Sequence, residues 1–365
     1  MQKARYILLF PVSFIYGIIT AIRNLFYDWG FLKSNTFKEH VICVGNLSVG
    51  GTGKTPHIEY LINLLKNEKR IATLSRGYKR KTKGFMIAFD ENTADEVGDE
   101  PKQFKTKFKD IVVAVDSNRV NGIKKLNKIK DKPDLYLLDD AFQHRSVKAG
   151  LNILLTDFND LFVNDSMLPG GNLREYKSGY KRADIIIFTK TPERVSNLDM
   201  KVYSKEIQMK PYQKIFFSWL KYGDLYYYSD FNFKIDIPKQ LFKFNVLVLT
   251  GIANPGPLVT YVKEYANQTV QKSFGDHHDF SVADIGELRK LFNTIAGENK
   301  LIVTTEKDYM RLLKPELMEA LTGLPLFILP IEIDFKKNTE EFNETILRYA
   351  RANTFYHSKY SAGNK

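Results

Sequence analysis

Between residues 36 and 200 the chain repeats one pattern: a short run of apolar, often β-branched residues, a polar or glycine-rich break, then apolar residues at helical spacing. The runs are HVICV (40–44), RIATLS (70–75), IVVAVD (111–116), LYLLD (135–139), LNILLTD (151–157) and ADIIIFTK (183–190). None alternates with polar residues, as expected of strands covered on both faces in a parallel sheet. PHIEYLINLLKN (56–67) and SNRVNGIKKLNKI (117–129) are helical by spacing. Polar residues gather at the carboxyl ends of the strands, where open α/β sheets place ligands.

From about Met200 the pattern becomes aromatic and alternating, which predicts antiparallel strands linking two lobes. A second α/β series follows in FNVLVLTGIANP (244–255), LIVTTEKDYMRL (301–312) and LPLFILPIEIDF (324–335). The expected division is an N-terminal apolar helix (1–35), a first lobe (36–200), linking strands (201–243), a second lobe (244–354) and a polar tail (355–365). The fold class is α/β, with a mostly parallel sheet at its core.

The apolar stretch YILLFPVSFIYGIITAI (6–22) is slightly short of the roughly 20 residues of a comfortable span. Basic residues flank it on both sides, and no small-residue cleavage site follows to make it a signal peptide. The expectation is a membrane-associated helix with Tyr27, Trp29 and Phe31 near the headgroups; a buried core helix is the alternative.

Composition narrows the picture. The single cysteine, Cys43, excludes an internal disulfide and a cysteine-rich zinc motif, and its place in a strand reads as a small buried residue. A cytosolic, reducing location fits. The net charge of +12 suits nucleic acid, an anionic membrane or an anionic substrate. No nucleic-acid motif accompanies the lysine clusters, so no nucleic-acid partner is expected.

The candidate chemistry begins at VGNLSVGGTGKTP (44–56), a strand, a glycine-rich turn and a helix start in the order of a phosphate-binding loop. Ser48 stands where the standard pattern has glycine. In this reading Ser48, Val49, Gly50, Gly51, Thr52 and Gly53 cradle phosphate with their backbone N–H groups. Lys54 reaches the β- and γ-phosphates, and Thr55 offers its hydroxyl to Mg²⁺. Asp139 and Asp140 follow a hydrophobic strand in the Walker-B arrangement that holds Mg²⁺. Gln143 and His144, on the same turn, either line the cleft or make local hydrogen bonds.

Three further clusters carry alternatives. EVGDEP places Asp99 and Glu100 in a loop, as solvated acids or as acceptors of a substrate proton. SFGDHHDFS brings His277 and His278 between acids, for base or orienting work, metal binding or structural hydrogen bonds. LPGGNLREY contributes Arg174 and Glu175, either to an anion or to each other. In TTEKDYMRL, the charges of Glu306, Lys307 and Asp308 suit a helix start.

Taken in order, GNLSVGGTGKTP, LSRGY, VGDEP, DDAFQH, LPGGNLRE, FGDHHDF and TTEKD resemble the tetraacyldisaccharide 4′-kinases, or lipid A 4′-kinases, over residues 45–308. Departures are Lys79 after SRGY and Ala141 after the two acids, both where glycine is frequent. The resemblance implies two α/β lobes joined by a β-ribbon. It also implies transfer of the γ-phosphate of ATP to the 4′-hydroxyl of a lipid A disaccharide 1-phosphate, at the cytoplasmic face of the inner membrane. Carried over, Lys54 is catalytic, Asp99 paired with His277 is the base, and Thr55, Asp139 and Asp140 form the metal side. Glu100, Arg174, Glu175, His278, Gln143, His144 and Tyr78 line the cleft. A membrane-associated NTPase switch, hydrolysing rather than transferring, is the rival.

Overall fold

The computed structural model of the protein describes residues 2–352; the tail expected at 355–365 lies outside the described residues. Two sheets form the frame. The first takes β1 (His40–Asn46), β2 (Ile71–Ser75), β3 (Met86–Ile87), β4 (Val112–Val115), β5 (Leu135–Asp139), β6 (Leu151–Asp157), β7 (Ile185–Thr189) and β8 (Lys214–Tyr222). The second takes β9 (Leu225–Tyr227), β10 (Asp230–Ile235), β11 (Asn245–Thr250), β12 (Gln268–Ser273), β13 (Lys300–Thr305) and β14 (Leu326–Leu329). The last strand, β15 (Ile331–Phe335), returns to the first.

The first sheet has the order β15-β8-β7-β6-β1-β5-β2-β4-β3, parallel except at its two edges. Consecutive residues of β1 serve opposite faces. Ile42 and Val44 pack under the helix Lys54–Leu65, with its Ile58, Leu61 and Ile62, while Val41 and Cys43 join the cluster on the other side. That two-sided burial is why the strand sequences show no polar alternation. Each fully buried aliphatic side chain contributes about 1.5–3 kcal/mol relative to exposure. Cys43 is free and buried, and burial pushes its thiol up to about 12, so it is no nucleophile at neutral pH.

The second sheet runs β10-β9-β14-β13-β11-β12, parallel from β14 to β12. The lobes are joined by two chain crossings, β8 into β9 and β14 into β15. They meet where Gly223 N donates to Pro330 O at 3.1 Å. This is the expected ribbon, with one rearrangement. Pro330 divides the run 324–335, so β15 pairs antiparallel with β8 and leaves the second lobe. The helix Thr339–Arg351 follows it, burying Phe342 and Ile346 in the first core while Tyr60 OH donates to Asn343 Oδ1 at 2.8 Å. Residues 331–351 thus pack with the first sheet, unlike the division at 244–354. Likewise Asn197–Glu206 is a helix, fixed by a Ser196/Asp199 capping box, where linking strands were expected from residue 201.

The N-terminal helix, Gln2–Asp28, is long and apolar enough over Leu8–Asp28 to cross a membrane. It is not a core helix: Leu8, Val12, Phe14, Ile15, Ile18, Ile19 and Ile22 are all exposed.

Candidate active site

The loop after β1 closes on the helix Lys54–Leu65 through Gly53, whose φ of 80° places it in the left-handed region. Gly50 has φ 115°. Both conformations favour glycine, and a Cβ at Gly50 or Gly51 would meet only open space. A hairpin braces the loop from behind. Ser48 bridges Leu173, Val49 N donates to Asn172 O at 2.8 Å, and Arg174 N donates to Leu47 O at 2.8 Å. These backbone bonds hold the loop at Ser48 without any need for glycine there.

β5 runs beside β1, with Asp139 opposite Val44, so its carboxyl end delivers both acids next to the loop. Asp140, at φ 47°, lies 3.6 Å from Lys54 Nζ and accepts from Arg174 Nη1 at 2.8 and 3.0 Å. Burial would raise its pKa, but the Lys54 and Arg174 charges outweigh it and lower the carboxyl. Asp139 goes the other way. Burial first, then the charges of Asp140 and Glu100, push it up to about 7. Its Oδ1 is buried with no hydrogen-bond partner. An orphaned carboxylate oxygen among phosphate-loop groups fits a hard cation that takes its remaining ligands from phosphate and water. Among the described residues, no group of three or more His, Cys, Asp or Glu side chains is arranged to hold a metal ion by itself.

The second cluster is assembled across the lobes. Asp99 opens the helix Asp99–Lys107 after Gly98, while His277, at φ 58°, comes from the loop after β12. His277 Nδ1 lies 3.0 Å from Asp99 Oδ2. Arg311, from the helix Glu306–Leu312, donates Nε to the same oxygen at 2.8 Å; its Nη1 serves Asp308 Oδ1 at 3.0 Å and Gly251 O at 2.8 Å. Burial would raise Asp99, but the His277 hydrogen bond and the Arg311 guanidinium hold it down at about 2. Around this centre Lys307 pairs with Glu100 at 2.7 Å, and Lys107 bridges Glu59 and Glu306 at 2.6 and 2.7 Å. Charges from both lobes therefore meet at one seam.

The structure sorts the remaining sequence candidates. Tyr78 is exposed and sets its ring edge on His277, centroids 5.5 Å apart. His278 turns away: its Nε2 meets Asp284 Oδ2 at 3.1 Å at a helix N-cap, and its ring stacks on Phe274. Glu175, expected in the cleft, is 2% exposed and accepts from Asn24, Gln143 and Arg182. Gln143 is occupied in that network. His144 is half-buried; burial, then the cations of Arg119, Arg23 and Arg76, lower it to about 4, so it is neutral at physiological pH. Lys79, where glycine is frequent, has φ 59°, which accounts for that preference. Arg311 and Arg119 escaped the sequence reading. The only trace of Arg311 was its i, i+3 spacing from Asp308; Arg119, buried with Nη2 donating to Asp139 O at 3.2 Å, lay within an ordinary helix pattern.

A parallel sheet carrying a glycine loop, a strand-end acid pair and a cross-lobe carboxylate–histidine pair defines a P-loop kinase-like α/β protein. Comparison with known proteins agrees. The family described as Tetraacyldisaccharide-1-P 4'-kinase matches residues 5–351. Tetraacyldisaccharide 4'-kinase of Bacteroides thetaiotaomicron is 47% identical over 356 residues, covering 95% of this chain and 93% of that protein. The protein of that name from Flavobacterium johnsoniae is 46% identical, covering 95% and 97%. A crystal structure of LpxK from Aquifex aeolicus in complex with ATP superimposes with a TM-score of 0.73 at 31% identity, covering 94% of this chain and 99% of that one. The chain belongs to the tetraacyldisaccharide-1-P 4'-kinase family.

Proposed function

We propose that the protein transfers the γ-phosphoryl group of ATP to the 4′-hydroxyl of a tetraacyldisaccharide 1-phosphate, at the cytoplasmic face of the inner membrane. The observation that carries this reading is the pairing of Asp99 and His277 from different lobes, with Glu100, the residue next to Asp99, near enough for its charge to raise Asp139. A hydrolytic switch needs a positioned water; a transferase needs a group that takes a proton from an acceptor hydroxyl.

The roles follow from the donors and acceptors. The backbone of Ser48–Gly53 and the Lys54 ammonium hold the phosphates. Lys54 and Arg174, both beside Asp140, offer positive charge where the transferring group becomes more negative. Thr55, Asp139 and Asp140 would hold Mg²⁺, which neutralises phosphate charge when bound. A small cleft of about 120 Å³, lined by Ser48–Thr52 with Asp157 and Lys190, opens beside the loop.

His277 Nδ1 faces Asp99 Oδ2 at 3.0 Å and the donor Nη2 of Arg311 at 3.2 Å, while that same Nη2 lies nearer Asp99 Oδ2, at 2.7 Å. In this reading the guanidinium serves the carboxylate, Nδ1 donates its proton to Asp99, and Nε2 keeps its lone pair for the acceptor hydroxyl. A carboxyl held near 2 is a weak base. His277 is therefore the proton acceptor, and Asp99 fixes its tautomer and orientation.

The exposed apolar side of the N-terminal helix, with Trp29 and Phe31 at its end, suits burial in lipid. Such a helix brings the site to an amphiphile. The decisive experiment is ATP turnover with and without the lipid disaccharide. Phosphorylated disaccharide at the rate of ADP release is expected, whereas lipid-independent ATP hydrolysis would establish the switch. Deleting residues 2–28 is expected to move the protein from membrane to soluble fractions.

A further inference from the structure

The N-terminal helix has a second stripe that membrane attachment does not require. Ser13, Gly17, Thr20 and Asn24, spaced by four, three and four, face the protein together with Tyr16, while the apolar side chains face out. This stripe lies against the hairpin that braces the phosphate loop. Gly170 N donates to Ser13 Oγ at 2.9 Å, and Tyr16 OH donates to Arg174 O at 3.0 Å. Tyr176 packs closely against Gly17: a Cβ there would lie 2.6 Å from its hydroxyl, so a larger residue would push the tyrosine aside. Asn24 Nδ2 donates to Glu175 Oε2 at 2.8 Å.

Those contacts lead directly into the site. The buried Glu175 also accepts from Gln143 Nε2 at 3.0 Å and from Arg182 Nη2 at 2.7 Å on Oε1. The same Gln143 amide donates to Asn46 O at 2.8 Å, at the end of β1 where the phosphate loop begins. Arg174, the preceding residue, is held through its backbone by Tyr16 and Leu47 and places its guanidinium on Asp140. The helix thus grips both residues of the 174–175 pair from the membrane side.

We infer that the N-terminal helix is a positioning strut for phosphoryl transfer as well as an anchor, with Asn24 the positioning residue that acts through Glu175. The inference rests on the kinase reading above. Its physical basis is that Glu175 touches the helix on one oxygen and the loop-side network on the other. Losing the Asn24 donor leaves one oxygen of a buried carboxylate unsatisfied, and the 174–175 turn relaxes toward other donors. Small displacements of this kind are costly in catalysis, because a misplacement of about 1 Å can lower a rate roughly 10²-fold.

The test separates strut from anchor in the full-length chain. With lipid disaccharide dispersed in detergent micelles, tethering no longer limits encounter. There Asn24→Leu is expected to lower kcat roughly 10–100-fold, with KM for ATP little changed and vesicle co-sedimentation retained. Asn24→Asp sets one carboxylate against another and is expected to be as damaging. The reciprocal pair Asn24→Asp/Glu175→Gln restores the contact: Oε1 still accepts from Gln143 and Arg182, while the new amide donates to the new carboxylate. It is expected to regain most of the kcat lost in Asn24→Asp. Should Asn24→Leu fail to fold, Tyr16→Phe and the reciprocal pair carry the same comparison. Wild-type kcat in micelles for the Asn24 variants, or no recovery in the reciprocal pair, overturns the strut. An inactive wild-type chain would instead overturn the kinase reading.

Discussion

His277 Nδ1 and Asp99 Oδ2 lie 3.0 Å apart although 178 positions separate the two residues, one in each lobe. The contact between the lobes is therefore what assembles the proposed proton acceptor. Removing either partner, by His277→Ala or Asp99→Ala, is expected to lower kcat about 10²–10⁴-fold, the usual worth of general-base help. The double variant should be scarcely worse than the worse single one, since the two act as a unit. Asp99→Asn keeps the shape but lets the imidazole take the wrong tautomer, and should be nearly as slow. Single variants that change only KM for the lipid would make these binding residues instead.

Arg311 is the keystone of the same seam, joining Asp99, Asp308 and Gly251 O with one guanidinium. Arg311→Ala strands the fully buried Asp308, and breaking such a pair costs about 3–5 kcal/mol. A lower denaturant midpoint and a fall in kcat are both expected. Lysine has no planar fork to meet three acceptors, so Arg311→Lys should recover little of either. Full activity in Arg311→Lys would show that charge alone suffices.

Lys54→Ala is expected to leave a folded protein with kcat lowered at least about 10²-fold, because removing one stabilising group from a transition state typically costs that much. Lys54 is half-buried and its ion-pair distance to Asp140 is a loose 3.6 Å, so the fold loses little. Circular dichroism checks the fold and single-turnover kinetics the rate. Near-normal turnover at saturating ATP would remove the phosphate-loop assignment.

The parts of the molecule that were legible in its sequence are those where local pattern and tertiary need coincide. β1, the glycine loop and the helix Lys54–Leu65 could be read because apolar strand, left-handed glycines and helix start are each local signals. The acids of β5 could be placed because a strand end fixes where they emerge. Arg311 could not: its role depends on how one lobe closes on the other, and no local spacing records that. The return of β15 to the first sheet was hidden for the same reason. Ile331–Phe335 is as strand-like as Leu326–Leu329, and only pairing with β8 decides between the sheets. Glu175 looked like a cleft residue beside a glycine turn, but its partners arrive from the N-terminal helix and from Arg182. Asn24, just past the apolar run 6–22, gave no sign of facing inward.

The final prediction concerns pH and Mg²⁺. Asp139 is pushed up to about 7 by burial and by the charges of Asp140 and Glu100, so below that pH it is mostly protonated. A protonated carboxyl must lose its proton before it can bind the cation. Mg²⁺ affinity of the nucleotide-loaded protein should therefore rise with pH, by up to about tenfold per unit for one displaced proton, and level off once Asp139 is ionised; the bound phosphates, being negative, push that point upward. Stability runs the opposite way without the cation. The folded pKa lies above the unfolded value of about 3.9, so the contribution is full below that value and is lost as pH rises through about 7. Mg²⁺ with a non-hydrolysable ATP analogue should consequently raise the melting temperature more at pH 8 than at pH 6. Asp139→Asn cannot ionise; it should abolish that difference while melting higher than the wild type at pH 8 without Mg²⁺. Titration calorimetry across this range decides the matter, and a Mg²⁺ affinity independent of pH in the wild type would mean that Asp139 is not a ligand.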